Sequence, residues 1–287
     1  MIDESKLREA VSYIRERTNF RPTVALILGS GLGDFAETLS VAASISSVEI
    51  PHYPKSTVQG HEGKLVFGHV VRGKQSSPPV LVFKGRVHYY ETKSVPPIVF
   101  PVYVASKLGA KILLVTNAAG GINRSFKAGQ LMLIKDFLTL TFLKLIFAGG
   151  KKLSSREELE WPLEGRVRNQ LLFDERLQDG IRTNATNLGI DLKEGTYCWL
   201  KGPTYETASE IEMLRRIGVD AVGMSTVPET LAAKQLSMRV AGISLISNMA
   251  TGITGEKLSH QEVTDTANRI KKSFTELMQN ILLDLPT

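Results

Sequence analysis

The chain has 287 residues and a single cysteine, Cys198, so an intramolecular disulfide is impossible. That thiol sits between Tyr197 and Trp199 in what reads as a strand, where a buried thiol is expected. No apolar run approaches the roughly 20 residues that a membrane span needs. The opening MIDESKLREA has no apolar stretch after a basic start, so the expectation is a soluble, unexported protein of the reducing cytoplasm with no membrane partner. Repeats and low-complexity linkers are missing as well, which leaves one domain over 1–287. A strong excess of one charge is also lacking: 35 bases face 29 acids, at a pI near 9.3. Between Lys144 and Arg182, eight bases alternate with seven acids. That mixture is a solvated surface rather than a track for phosphates, so no nucleic-acid partner is expected.

What is present is an alternation of strand and helix patterns. Residues 3–17 have amphipathic helical spacing, and short apolar runs at 23–29, 64–70, 80–84, 111–117, 130–136, 194–200, 219–224 and 239–247 read as strands. SISSVEI, at 44–50, reads as a further strand. Helical stretches fall near 97–108, 174–188, 207–217, 228–237 and 260–282. Interleaving of this kind predicts an α/β fold. The runs at 64–70 and 80–84, joined by RGKQSSPP, predict a hairpin and therefore a mixed sheet.

ALILGSGLGDFAETLS, at 25–40, raises the question of a dinucleotide loop. Gly29, Gly31 and Gly33 give G-x-G-x-G, with the third glycine one residue early for the dinucleotide fingerprint. Glu49 stands where an acid would grip a ribose, but DFAETLS is too short to complete a parallel crossover. What survives is a strand ending in a flexible turn that carries Ser30, able to face an oxyanion.

Other strands end in loops of similar character. QGHEGKLVFG carries His61, GRVHYYE offers Arg86 and His88, VTNAAGGIN brings exposed backbone amides, and VGMSTVPE places Ser225 past a strand. In α/β sheets a ligand lies beyond the carboxyl ends of strands. An arginine fork with hydroxyl, imidazole and amide donors suits phosphate. Each residue also has an ordinary use: His61 satisfying a loop carbonyl, Arg86 in a surface salt bridge, Ser225 capping the helix that starts at VPE. Glu206 reads equally as a first-turn acid and Asn248, in NMATGITG, as a turn residue.

LGSGLG, GHEGKLVFG, GRVHYYE, TNAAGGIN, GPTYETASE, AVGMSTVPE and SLISN followed by SHQEV together resemble the trimeric purine nucleoside phosphorylases, in order from about residue 25 to 265. The resemblance implies a single α/β domain with a central, mixed, partly barrel-like sheet flanked by helices. It implies phosphorolysis of 6-oxopurine nucleosides such as inosine and guanosine to free base and ribose 1-phosphate, in purine salvage. The partners would be a purine nucleoside and phosphate, with no metal or organic cofactor, in a homotrimer. Carried over by position, Ser30, His61, Arg86, His88, the Ala118 backbone and Ser225 would hold phosphate. Tyr90 and Met224 would address the ribose and His260 its 5′-hydroxyl. Glu206 and Asn248 would bond the purine, with Tyr205 and Val222 lining its plane, and His88, Glu206 and Asn248 form the catalytic set.

The methylthioadenosine phosphorylases, which are similar, tend to carry aspartate at Asn248 and lack a polar partner for a 5′-hydroxyl. The chain departs from the pattern between Asp136 and Arg176. The family's phenylalanine that reaches a neighbouring ribose site has no counterpart near Val167, and Phe173–Asp174 takes the place of its Tyr-Asp. A modified ribose edge is therefore expected beside an intact phosphate half, with a catalytically weak nucleoside-binding protein as the alternative.

Overall fold

In the computed structural model, which describes residues 2–58, 62–139, 172–254 and 260–285, the strands are β1 (Val24–Leu28), β2 (Ser40–Ser46), β3 (Lys64–His69), β4 (Val71–Arg72), β5 (Gln75–Ser76), β6 (Val80–Lys84), β7 (Ile112–Gly121), β8 (Leu131–Thr139), β9 (Lys193–Trp199), β10 (Ala221–Gly223) and β11 (Arg239–Met249). The helices are α1 (Glu4–Arg17), α2 (Tyr89–Thr92), α3 (Pro96–Leu108), α4 (Glu175–Asn187), α5 (Ala208–Arg216), α6 (Val227–Gln235) and α7 (His260–Asp284).

Strand β1 is buried at every residue because parallel neighbours, β6 and β7, flank it on both sides. A strand with both edges paired and both faces covered has no use for alternating polar residues. The main sheet runs β10-β9-β8-β11-β7-β1-β6-β3-β2, and β10 also pairs with β7. That second pairing joins five strands, β7, β11, β8, β9 and β10, into a closed ring, the partial barrel at one end of a mixed sheet. The expected hairpin is the antiparallel pair β3–β6, with the small β4–β5 ribbon between them.

Helices cover both faces. Along β1, Ala25 and Ile27 join a core with α1, α3 and α6, while Val24, Leu26 and Leu28 join a second core with α4 and α7. In α1 the buried residues are Leu7, Ala10, Val11 and Ile14, the i, i+3, i+4, i+7 stripe that one face requires. Asp3 starts this helix by accepting from the Ser5 and Lys6 amides at 3.0 and 3.2 Å. Burying Leu7 and Ile14 stabilises by about 1.5–3 kcal/mol each.

Two expectations need correction. The strand expected at 44–50 lies at Ser40–Ser46, and Ser47–Glu49 is a short 3₁₀ turn. The ladder with β3 stops where Ser46 meets Lys64, the first residue of its partner, and the Ser47 amide turns to the Gly63 carbonyl at 2.7 Å. The glycines of TNAAGGIN are not a loop with free amides, because β7 continues to Gly121. Its parallel partner β11 accompanies it as far as Met249. After β1 the chain makes a 3₁₀ helix, Gly33–Thr38, and β2 pairs antiparallel with β3, so no dinucleotide crossover forms.

Candidate active site

The carboxyl ends of β1, β6, β7, β9, β10 and β11 surround a cavity of about 250 Å³. Ser30, Arg86, His88, Tyr90, Ala118, Tyr205, Glu206, Val222, Met224, Ser225 and Asn248 all line it. His61 and the 140–171 segment, which includes Val167, lie outside the described residues. His260 opens α7, and its side chain is likewise outside the description. Val263, one turn on, lines the cavity.

At the opening loop, Gly31 has φ +75, and a β-carbon there would lie 2.4 Å from the Ala267 β-carbon on α7. Only glycine takes this left-handed turn under so close a helix. Ser30 is thereby held between the end of β1 and the cavity. Lys84, buried at the end of β6, ties this region together by pairing with Glu37 at 2.6 Å and Glu62 at 2.9 Å.

Arg86 is buried, not a surface salt-bridge residue. Its Nη1 donates to Thr226 Oγ1 at 3.1 Å and lies 3.4 Å from Glu229 Oε1, and its Nη2 donates to the Thr116 carbonyl. Burial pulls its pKa down, opposed by the Glu229 charge; a guanidinium nonetheless stays protonated. Thr226 adopts φ 76 and ψ −50, and the Val227 amide donates back to the Ser225 carbonyl at 2.8 Å. This is the rare γ-turn of positive φ, strained for a β-branched residue. Its hydroxyl also accepts from Asn117 Nδ2 at 2.8 Å and lies 3.2 Å from Ser225 Oγ.

His88 is fixed by Glu91. One carboxylate oxygen accepts from the His88 amide at 2.6 Å and faces Nδ1 at 3.2 Å. The other accepts from the Thr57 amide and hydroxyl at 2.6 and 2.9 Å and from the Ser56 hydroxyl at 3.1 Å. Burial raises the Glu91 pKa, but these donors outweigh it and hold the carboxyl at about 2. The acceptor keeps a proton on Nδ1 and so fixes the imidazole orientation. The ring stacks on Tyr90, with centroids 5.1 Å apart at 9°.

Tyr90 and Met224 meet around Gly202, and burial raises the Tyr90 phenol to about 12. Farther along, a β-carbon at Gly120 would meet Asn248 Oδ1 at 3.2 Å and Val222 Cγ1 at 3.4 Å, so this bare stretch of β7 forms a floor for the wall made by those two residues. Asn248 belongs to β11, at a register shift after Ile246; a bulge re-aims the side chain that follows it. It is therefore a strand residue, not part of a turn. Glu206 is buried, and desolvation raises its pKa. It does not cap α5, whose start is a capping box between Thr207 and Glu210. Tyr205 stands at the rim, 44% exposed. Ser225 is not the cap of α6 either; Thr226 occupies that position.

Sequence reading passed over Asn117, Thr226, Glu229 and Glu91. Glu91 was findable, because an acid three residues after His88 and just inside a helix has capping-box spacing. The backbone conformation at Thr226 leaves no comparable mark. Phe173 packs edge-on against Phe137, 6.3 Å away, and Asp174 caps α4 through the Leu177 amide at 3.0 Å.

A strand-end cavity divided into an arginine and hydroxyl end, a tyrosine and methionine middle and a carboxylate and amide wall defines a class. The chain belongs to the phosphorylase superfamily, whose family model matches residues 23–283, and within it to the purine nucleoside phosphorylases. It is 38% identical over 284 residues to purine nucleoside phosphorylase 1 of Geobacillus stearothermophilus, covering 99% of each chain. With the purine nucleoside phosphorylase of Rattus norvegicus it shares 37% identity, covering 97% of this chain and 94% of that protein. The crystal structure of Schistosoma mansoni purine nucleoside phosphorylase in complex with inosine superposes at a TM-score of 0.83 with 31% identity, covering 99% of this chain and 97% of that one.

Proposed function

We propose that this chain phosphorolyses 6-oxopurine nucleosides, inosine and guanosine among them, to the free base and ribose 1-phosphate, serving purine salvage in the cytoplasm as a homotrimer. The observation that carries the reading is the gathering of Ser30, Arg86, His88, Ala118 and Ser225 in one cavity with Glu206 and Asn248. In this reading the first five, with His61, hold phosphate. Tyr90, Met224 and His260 address the ribose, and Tyr205 and Val222 flank the base. Phosphate is a co-substrate, and the reaction calls on no metal or organic cofactor.

Cleavage passes through an oxocarbenium-like state, so a fixed phosphate dianion both stabilises the sugar's positive charge and attacks C1′. Charge collects on the leaving purine, where the Asn248 amide donates to it. The Glu206 carboxylate accepts from N1–H, a proton that 6-oxopurines carry and adenine lacks. The test is hypoxanthine release from inosine with and without phosphate, at catalytic enzyme concentration. Phosphate-dependent turnover is expected; binding of inosine without turnover would favour a nucleoside-binding protein. A crystal soak is expected to show phosphate among Ser30, Arg86 and His88.

A further inference from the structure

Thr226 is buried at 1% exposure and sits in a strained turn between Ser225 and α6. Its hydroxyl joins three side chains from three elements: Arg86 after β6, Asn117 on β7 and its neighbour Ser225. A hydroxyl has two acceptor lone pairs and one proton to give. Arg86 Nη1 and Asn117 Nδ2 are donors only, and both point at Thr226 Oγ1, so they fill its lone pairs. The remaining proton then goes to Ser225 Oγ, 3.2 Å away. Ser225, accepting there, keeps its own proton for something else, and it lines the cavity.

We propose that Thr226 is the positioning residue of the anion half of the site. Its hydroxyl holds the Arg86 guanidinium in place and sets the direction of the Ser225 hydroxyl, so that Ser225 enters the cavity as a hydrogen-bond donor to phosphate. The proposal rests on the reading that Arg86 and Ser225 bind phosphate. It also accounts for a left-handed conformation at a β-branched residue: strain of this kind persists where surrounding contacts over-determine it, and it gathers at functional sites.

The test measures inorganic phosphate binding by calorimetry, together with the KM for phosphate and for inosine, in the wild-type chain and in Thr226→Val, Thr226→Ser and Thr226→Gly. Valine keeps the shape and removes the hydroxyl, serine keeps the hydroxyl, and glycine removes both hydroxyl and strain. The expected result is that valine and glycine weaken phosphate binding about tenfold or more and raise the phosphate KM in step. Serine stays within about threefold of wild type, and the inosine KM moves less than about threefold in all three. A glycine variant that binds phosphate as the wild type does would overturn the proposal, as would a serine variant as weak as the glycine one; both remain informative if valine fails to fold. If the wild-type chain binds inosine but not millimolar phosphate, the underlying reading falls and the proposal with it.

Discussion

Arg86 and Glu229 are buried against one another, Nη1 to Oε1 at 3.4 Å, with side chains 3% and 1% exposed. Neither carboxylate oxygen accepts a hydrogen bond among the described residues. Removing one partner of such a pair strands a charge in the interior. Glu229→Ala is expected to cost about 3–5 kcal/mol in urea unfolding. A loss below about 1 kcal/mol would mean that the guanidinium is neutralised by something other than Glu229.

Asp174 accepts from Arg239 Nε and Nη2 at 2.8 and 2.9 Å while capping α4. The Arg239 bonds lead the causes that lower its pKa from the ordinary value. A carboxyl whose folded pKa lies below its unfolded value of about 3.9 contributes stability above that value. The contribution is lost as pH falls through the folded pKa. Asparagine caps as well as aspartate but carries no charge. Asp174→Asn should therefore be less stable than wild type at pH 7 and should lose less than wild type when both are unfolded in urea at pH 3.

At Gly31 an added β-carbon would meet the Ala267 β-carbon at 2.4 Å, at a φ of +75. Gly31→Ala is expected to destabilise by about 1–3 kcal/mol through overpacking and backbone strain. Ala267→Gly should recover part of that loss in the double variant, because it removes the clash and leaves the strain. Additive effects in the double-mutant cycle would show that α7 does not press on the loop.

Asn248→Asp replaces a donor with an acceptor on the cavity wall proposed to hold the base. Turnover of inosine is expected to fall by about 100-fold or more, with the ratio shifting toward adenosine, whose 6-amino group donates. Parallel losses for both nucleosides in steady-state assays would place the base elsewhere.

Glu206 has its pKa raised by burial, and in the proposed reading its ionised form is the strong acceptor for N1–H. The kcat/KM for inosine should therefore fall on the acid side with an apparent pKa above the ordinary glutamate value. Glu206→Gln should be weak at every pH and lack that limb. An acid limb unchanged in the variant would assign it to another group.

Elements that depend on local pattern were legible in the sequence. The stripe of Leu7, Ala10, Val11 and Ile14 predicted α1 nearly to the residue, and the apolar run of β1 was plain because burial on both faces leaves a continuous run. The edge strand β2 was misplaced because its exposed face offers no periodic signal, and its end is decided by where β3 begins. Ring closure was equally hidden: Ala221–Gly223 pair with β9, only Ala221 and Val222 of these pair with β7 as well, and a pairing across a hundred residues has no local signature. Within the site, Ser30, Arg86, His88 and Ser225 could be named from their strand-end loops; Tyr90, Tyr205, Glu206, Val222, Met224 and Asn248 carried no such mark and were reached through the family resemblance. Glu229 and Asn117, which meet Arg86 and Thr226 only through the fold, were reached by neither route.

Because β10 is bonded on both sides, the main sheet has one exposed margin among the described residues, at β2, on the opposite flank from the ring. Edge-to-edge adhesion onto the main sheet, among the described residues, has that margin to start from. Growth of that kind would extend the sheet away from the cavity, so aggregates nucleated there would be expected to retain ligand binding while losing solubility.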